Sequence, residues 1–256
     1  MTHGFIEFEF DLPDALLQRL IAIFDNMQSA RLVLSNLSVI PDAQGVYQLL
    51  QGDKVVYIGK TDGDAGLKQR LTRHASTIRH RKGLFVEDIG FRAVRIYVFT
   101  AMDLETELIR YYVLQGHSSW NKSGFGSNDP GRNRDDTNLK AGHFDLIYPI
   151  DIDVPLELSF PSGSSIASAL AALRSYVPYT FRFEGAGYGR SAHNDLHTAL
   201  MPVVAMPLTT RKIITSALAI LPSGWQATLL AGRVILYKEN KEYRFGKVIG
   251  RSEGEE

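Results

Sequence analysis

The sequence contains no cysteine among its 256 residues. This absence excludes structural disulfides, cysteine-bound zinc or iron–sulfur clusters, and catalysis by a thiol nucleophile. The chain also lacks any apolar run near the ~18 residues that a membrane-spanning helix needs. Its first residues, MTHGFIEFEFD, are acidic, unlike the basic start of a signal peptide. We therefore expect a cytoplasmic protein with no membrane partner.

The formal net charge is zero, because the 28 basic and 28 acidic residues cancel. The charges are nevertheless uneven, since residues 54–95 carry ten bases against four acids. A local positive field attracts a polyanion even when the whole protein is neutral. This segment is therefore compatible with nucleic-acid binding, although an ordinary solvated surface has the same composition.

The spacing of apolar residues predicts a β–β–α–β–α order in the first half of the chain. Two short strands at residues 45–50 and 54–58 are joined by a turn and form a hairpin. Residues 67–82 have helical spacing, residues 91–100 are rich in β-branched and aromatic side chains, and residues 104–114 again have helical spacing. We predict an α+β fold with a small antiparallel sheet flanked by helices.

Changes in composition divide the chain into three regions. We expect residues 1–40 to form an N-terminal helical arm, residues 41–148 to form the α+β core, and residues 149–256 to form an α+β C-terminal extension that contacts DNA or mediates dimerisation. The core contains a polar, glycine-rich loop at residues 122–142, and a loop of that length is usually functional or disordered. In the extension, a last strand at residues 242–248 is joined by a short turn to the strand before it.

Five side chains of types that take part in catalysis occur along the core. Tyr47 and Tyr57 lie in the two glycine-flanked strands, within the tripeptides GVY and YIG. Arg70 and His74 are four residues apart, so they stack on one face of the next helix. Glu105 stands at the start of the following helix.

These motifs resemble the GIY-YIG nuclease superfamily, whose two motif halves correspond to residues 45–47 and 57–59. The resemblance implies a GIY-YIG nuclease core. The sequence ETELI resembles the acidic helix of that family, so Glu105 is the implied metal ligand and Glu107 the reserve candidate. Asn121 resembles the asparagine that closes the family's motif set.

Within the superfamily, two features resemble the type II restriction endonuclease branch. These are the four-residue spacing of Arg70 and His74 and the later segment SGFGSNDPGR. The resemblance implies Mg²⁺-dependent hydrolysis of DNA at a short palindromic site, leaving 5′-phosphate and 3′-hydroxyl ends. It also implies a homodimer, and a DNA methyltransferase as functional partner in a restriction-modification system.

Each residue type suits phosphodiester hydrolysis. Glu105 can hold one Mg²⁺ whose other ligands are water and phosphate oxygens, with Mn²⁺ able to substitute. Arg70 offers a permanently charged planar fork to phosphate oxygens. A tyrosine is a poor base at its ordinary pKa of about 10, but cations such as Lys60, Arg70 and the metal favour its phenolate form. Alternatively, His74 takes a proton from Tyr47 or from water.

Sequence-specific cleavage also requires side chains that read base edges. The loop at residues 122–142 carries Asn128, Arg132 and Arg134, and in the major groove arginine suits guanine and asparagine suits adenine. Lys60, directly after the second motif half, is a further DNA-binding candidate. We therefore predict double-stranded DNA as the partner.

Two other functions fit the same residues. One is a GIY-YIG repair, structure-specific or phage-defence nuclease with little sequence preference. The other is a catalytically inactive DNA-binding protein, which the joint presence of Tyr47, Tyr57, Arg70, His74 and Glu105 disfavours.

Overall fold

The computed structural model describes residues 4–9, 11–61, 65–97, 104–185 and 191–253. The chain forms two compact units. The first comprises Met1–Ala75 and Val86–Lys122, and the second comprises Ser76–Phe85 and Ser123–Glu256. Among the described residues, no helix combines the length and the apolar character that crossing a membrane requires.

The first unit contains four helices and four strands in its described part. In chain order they are α1 (Leu12–Asn26), β1 (Ala30–Arg31), α2 (Leu34–Leu37), β2 (Gly45–Gln51), β3 (Lys54–Lys60), α3 (Leu67–Arg79, whose last four residues belong to the second unit), β4 (Ile89–Arg95) and α4 (Leu104–Leu114). The predicted β–β–α–β–α order is confirmed in β2, β3, α3, β4 and α4. The predicted strand at residues 91–100 begins and ends earlier than expected.

The four strands form one antiparallel sheet in the order β1-β4-β2-β3. Asp11 caps helix α1, because its side chain accepts a hydrogen bond from the Asp14 N–H and so satisfies one free donor of the first turn. The buried α1 residues Leu20, Ile21 and Phe24 pack in one cluster with apolar residues of β2, β3 and α4. The helix of the predicted N-terminal arm therefore packs against the sheet of the first unit.

The outer edge of β3 is covered by residues 117–121. The Trp120 N–H donates to the Val56 carbonyl at 2.8 Å. The side-chain amide of Asn121 accepts from the Ile58 N–H and donates to the Ile58 carbonyl, both at 2.9 Å. This carboxamide therefore substitutes for a residue of a neighbouring strand and satisfies both backbone groups of Ile58.

The second unit contains a second sheet and four further helices among its described residues. They are α5 (Phe144–Ile147), α6 (Ile166–Tyr176), β5 (Thr180–Phe183), α7 (Asn194–Thr198), α8 (Thr210–Leu218), β6 (Trp225–Leu230), β7 (Arg233–Lys238) and β8 (Lys247–Arg251). A buried apolar cluster from α6, α8 and the sheet forms the core of this unit. With both sheets and their helices, the predicted α+β class is confirmed.

The second sheet has the order β5-β7-β6-β8, with β5 parallel to β7 and the other pairs antiparallel. The last strand, expected at residues 242–248, begins only at Lys247 and pairs with β6 instead of following β7 in a hairpin. The segment before it turns at Gly246, whose N–H donates to the Tyr243 carbonyl, and Tyr243 is itself buried. A buried aromatic residue in a loop therefore produced the apolar pattern that suggested a strand.

The segment 123–148 belongs to the second unit, whereas the expected core extended to residue 148. Its ends meet where the Phe144 N–H donates to the Ser123 carbonyl at 2.7 Å. The rings of Phe125 and Phe144 are in contact, with centroids 4.8 Å apart, and both are buried. Composition marks where a polar segment begins, but it does not reveal which core its few apolar residues join.

We predict that Asn121→Ala lowers the free energy of unfolding by about 1–3 kcal/mol, because two backbone groups of Ile58 lose their partners. Urea denaturation measures this change. The matched control is Asn138→Ala, since Asn138 is exposed and makes no hydrogen bond within the described ranges. Equal stability of the two variants would contradict the strand-substitute role of Asn121.

Candidate active site

The two tyrosines lie on neighbouring strands and on the same face of the first sheet. Tyr47 is opposite Gly59, and Tyr57 is opposite Leu49, so the tyrosines are diagonal neighbours and not a directly facing pair. Their ring centroids are 6.2 Å apart. Tyr47 is only 2 % exposed.

In both motif halves, neighbouring atoms leave no room for a side chain at the glycine. A Cβ atom at Gly59 would collide with the hydroxyl and ring of Tyr47. A Cβ atom at Gly45 would collide with the Val94 carbonyl and with the Leu67 side chain. The missing side chain at Gly59 lets the Tyr47 ring lie across β3. The missing side chain at Gly45 lets β2 and β4 lie close together beside α3.

Helix α3 brings an imidazole to the phenols. The Tyr47 hydroxyl lies 2.8 Å from His74 Nε2, in a buried hydrogen bond. The His74 ring centroid is 5.5 Å from that of Tyr47 and 5.2 Å from that of Tyr57. Each phenol also influences the pKa of the other, so their hydroxyls lie near one another. Tyr57, Tyr47 and His74 thus form one cluster of groups with exchangeable protons.

Burial keeps both phenols protonated. The pKa of Tyr47 is raised far above its ordinary value, first by burial and then by its neighbours Tyr57 and Glu105. Burial and Glu105 also raise the pKa of Tyr57. Arg70 opposes these increases but does not overcome them. Arg70 therefore acts in the expected direction, but burial outweighs it in the protein alone.

His74 is neutral for a complementary reason. Burial, together with the positive charges of Arg73 and Arg70, lowers the pKa of His74 from 6.5 to about 3. A neutral imidazole carries one N–H donor and one acceptor nitrogen, and with its proton on Nδ1 it accepts from the Tyr47 hydroxyl through Nε2. Its lowered pKa makes this imidazole a weak base in the free protein. Arg73 did not emerge from the motif spacing, although it directly precedes His74 in the sequence.

A carboxylate and an ammonium group lie near the phenols. Lys60 Nζ, at the end of β3, is 3.8 Å from the Glu105 carboxylate in the first turn of α4. Glu105 acts on the pKa of both phenols, so it lies close to them. Glu107, the reserve candidate, instead pairs with Arg110 at 2.9 Å.

The predicted residues therefore fall into two groups. Seven of them belong to the first unit: Tyr47, Tyr57, Lys60, Arg70, His74, Glu105 and Asn121. The side chain of Asn121 is hydrogen-bonded to the backbone of Ile58 in β3, so this residue positions the strand. Asn128, Arg132 and Arg134 belong to the second unit.

This arrangement can move a proton along two phenols to an imidazole, and it presents positive charge and one carboxylate beside them. The described residues contain no group of three or more histidine, aspartate or glutamate side chains that could enclose a metal ion. Neither a protein-family model nor a curated protein sequence matches this chain. The function below is inferred from the geometry of the site and from the spacing of its motifs.

We predict that acid destabilises the protein through His74. The unfolded state binds a proton on this histidine below about pH 6.5, whereas the folded state does so only near pH 3, so stability falls as pH falls through this window. The slope attributable to His74 is up to about 1.4 kcal/mol per pH unit.

The measurement is the free energy of unfolding from pH 7 to pH 4 for the wild type and for His74→Gln. The variant should show a shallower decrease, because glutamine does not titrate. Parallel curves for the two proteins would show that His74 is not held neutral by the fold.

Proposed function

We propose that the protein is a nuclease of the GIY-YIG type, which hydrolyses DNA phosphodiester bonds at the site formed by Tyr47, Tyr57, Arg70, His74 and Glu105. The observation that carries this proposal is the series Tyr57, Tyr47, His74, in which the Tyr47 hydroxyl lies 2.8 Å from His74 Nε2 and the charges of Arg70 and Glu105 act on both phenols. A series of neutral donors and acceptors beside partly exposed charges suits hydrolysis of an anionic ester.

The series supplies the base for the attacking water. Tyr57 takes a proton from this water while it passes its own proton to Tyr47, and Tyr47 passes its proton to His74 Nε2. The hydroxide so formed attacks phosphorus, and the bond from phosphorus to the 3′-oxygen breaks. The leaving oxygen takes a proton from solvent, which gives 5′-phosphate and 3′-hydroxyl ends, and His74 returns its proton to solvent so that the series is restored.

Substrate binding strengthens the terminal acceptor. In the free protein, Arg70 and Arg73 lower the pKa of His74. A phosphate bound to Arg70 places negative charge beside that guanidinium and offsets its effect on the imidazole. His74 therefore becomes more basic when the scissile phosphate is in place, so proton transfer is coupled to substrate binding.

Glu105 is the residue that would hold Mg²⁺ or Mn²⁺. A single partly exposed carboxylate suits Mg²⁺, which keeps several waters and readily takes phosphate oxygens as further ligands. When bound, the ion would neutralise charge that develops on the phosphate and on the leaving oxygen. Lys60 contacts the same carboxylate and adds a positive charge on that side of the site.

The more specific proposal is a type II restriction endonuclease. Its support is the motif spacing in the site and the SGFGSNDPGR segment, since the loop that contains this segment offers Asn128 and Arg134, side chains of the kind that read bases. Cleavage of both strands at a palindrome requires a symmetric dimer with two active sites. The protein would act beside a DNA methyltransferase that protects the same sites.

We predict that Glu105→Gln reduces Mg²⁺-dependent cleavage of plasmid DNA by at least about 100-fold, because the ion loses the carboxylate proposed to hold it. Glu107→Gln is the matched control, and its rate should stay within about threefold of the wild type, since Glu107 is paired with Arg110. Cleavage is followed by gel electrophoresis of a sequenced plasmid.

The pattern of fragments discriminates between functions. Discrete fragments from the wild type support a restriction enzyme, and a smear supports a nuclease with little sequence preference. Binding without any cleavage would instead identify an inactive DNA-binding protein, and equal cleavage by wild type and Glu105→Gln would refute the role of Glu105.

Tyr47→Phe removes one hydroxyl from the proton path and leaves the ring in place. We predict a rate reduction of about 10²- to 10⁴-fold, which is the usual contribution of general acid–base catalysis. Tyr97→Phe is the control, because Tyr97 is 81 % exposed. If Tyr47→Phe cleaves as fast as Tyr97→Phe, the proton path is not used.

A further inference from the structure

The loop after residue 122 is fixed to the second sheet by a buried carboxylate. Asp135 is buried and accepts two hydrogen bonds from the Arg182 guanidinium of β5. Arg233 Nε of β7 lies 2.8 Å from the same carboxylate, and the Tyr237 hydroxyl lies 3.4 Å from it. One carboxylate thus connects the loop to two adjacent strands of the second unit.

Contacts on both sides of Asp135 extend this attachment. Asp129 lies 3.2 Å from Arg182 Nε, and Asp136 lies 3.4 Å from Lys241 Nζ. The Asp136 side chain also accepts from the Arg244 N–H at 3.3 Å. The backbone of residues 129–136 is therefore held at several points, although the segment is rich in glycine and polar residues.

The positive charge of Arg132 is paired with carboxylates of the same unit. Its guanidinium lies 2.8 Å from Glu184 and 3.4 Å from Glu239. It also lies over the Tyr237 ring, 4.0 Å from the centroid. Two carboxylates and an aromatic face therefore engage the side chain that the sequence suggested as a DNA ligand, and its role here is to hold the loop.

In Arg134, by contrast with Arg132, the backbone is held by hydrogen bonds and the side chain is exposed. The Arg134 backbone N–H donates to the Gly131 carbonyl at 3.1 Å, and its carbonyl accepts from Arg233 Nη2 at 2.8 Å. The residue that follows it is the buried Asp135. Its own guanidinium is exposed and forms no hydrogen bond or ion pair within the described part of the chain. The loop thus presents one arginine outward from a backbone that is fixed on both sides.

Stability alone does not account for this arrangement. A buried ion pair adds little net stability compared with well-packed apolar residues, but it fixes one geometry because its hydrogen bonds are directional. Reading a base edge requires such a geometry, since a side chain discriminates only when its backbone is held in place. A bidentate arginine matches O6 and N7 of guanine in the major groove.

We infer that Arg134 is a specificity-determining residue that reads a guanine in the DNA site, and that Arg132 and Asp135 are positioning residues that hold the loop. This inference rests on the proposed nuclease function. It assigns opposite roles to two arginines that are two residues apart and that the sequence alone does not distinguish.

The test compares full-length wild type, Arg134→Ala, Arg134→Lys and Arg174→Ala. Arg174 is the matched control, because it is an exposed arginine of α6 in the same unit. Sites cut by the wild type are mapped on a sequenced plasmid. Cleavage rates are then measured on a duplex with the mapped site and on duplexes with single base-pair changes.

We expect Arg134→Ala to slow cleavage of the mapped site by about 5- to 150-fold, which corresponds to one bidentate base contact. It should also lose discrimination at one guanine position while retaining the thermal unfolding midpoint of the wild type. Arg134→Lys should remain defective at that position, because an ammonium group cannot make the bidentate contact. Arg174→Ala should behave as the wild type.

Other results would overturn the inference without affecting the nuclease proposal. One is unchanged site discrimination by Arg134→Ala. Another is a uniform loss on all duplexes that Arg134→Lys restores, since this indicates a phosphate contact only. Cleavage by the wild type without sequence preference would also refute base reading, whereas no cleavage by the wild type would refute the proposed function itself and this inference with it.

Discussion

The site depends on one buried hydrogen bond, between the Tyr47 hydroxyl and His74 Nε2. A phenol and an imidazole can share this position only if the ring of Tyr47 passes over β3, and Gly59 is the residue that permits it. Burial then keeps both partners neutral, by raising the pKa of Tyr47 and lowering that of His74. The same burial that stabilises the first unit therefore sets the protonation states of both groups in the free protein.

Much of the first unit could be predicted from local patterns. The hairpin, α3 and α4 follow from alternating and helical spacing, and the turn between β2 and β3 needs no distant contact. The pairing of β8 with β6 could not be predicted, because strand order depends on contacts between distant segments. For the same reason, composition did not reveal that residues 123–148 join the second unit.

The site shows the same division between local and distant information. The spacing of Arg70 and His74 predicts a shared helix face, and the glycines that flank Tyr47 and Tyr57 predict close packing. The direction of the pKa shifts could not be predicted from the sequence, because it depends on burial, which several elements create together. The opposite roles of Arg132 and Arg134 depend on partners at Glu184, Glu239 and Arg233, about 50 to 100 residues away in the chain.

The central claim is that this unit directs water to the phosphorus atom of DNA and breaks the bond to the 3′-oxygen. Cleavage in water enriched in ¹⁸O, followed by mass spectrometry of both new ends, tests it most directly. The account predicts one ¹⁸O atom in each 5′-phosphate and none in the 3′-hydroxyl. A 3′-phosphate end, label on the 3′ side, or DNA that stays intact with Mg²⁺ present would contradict it.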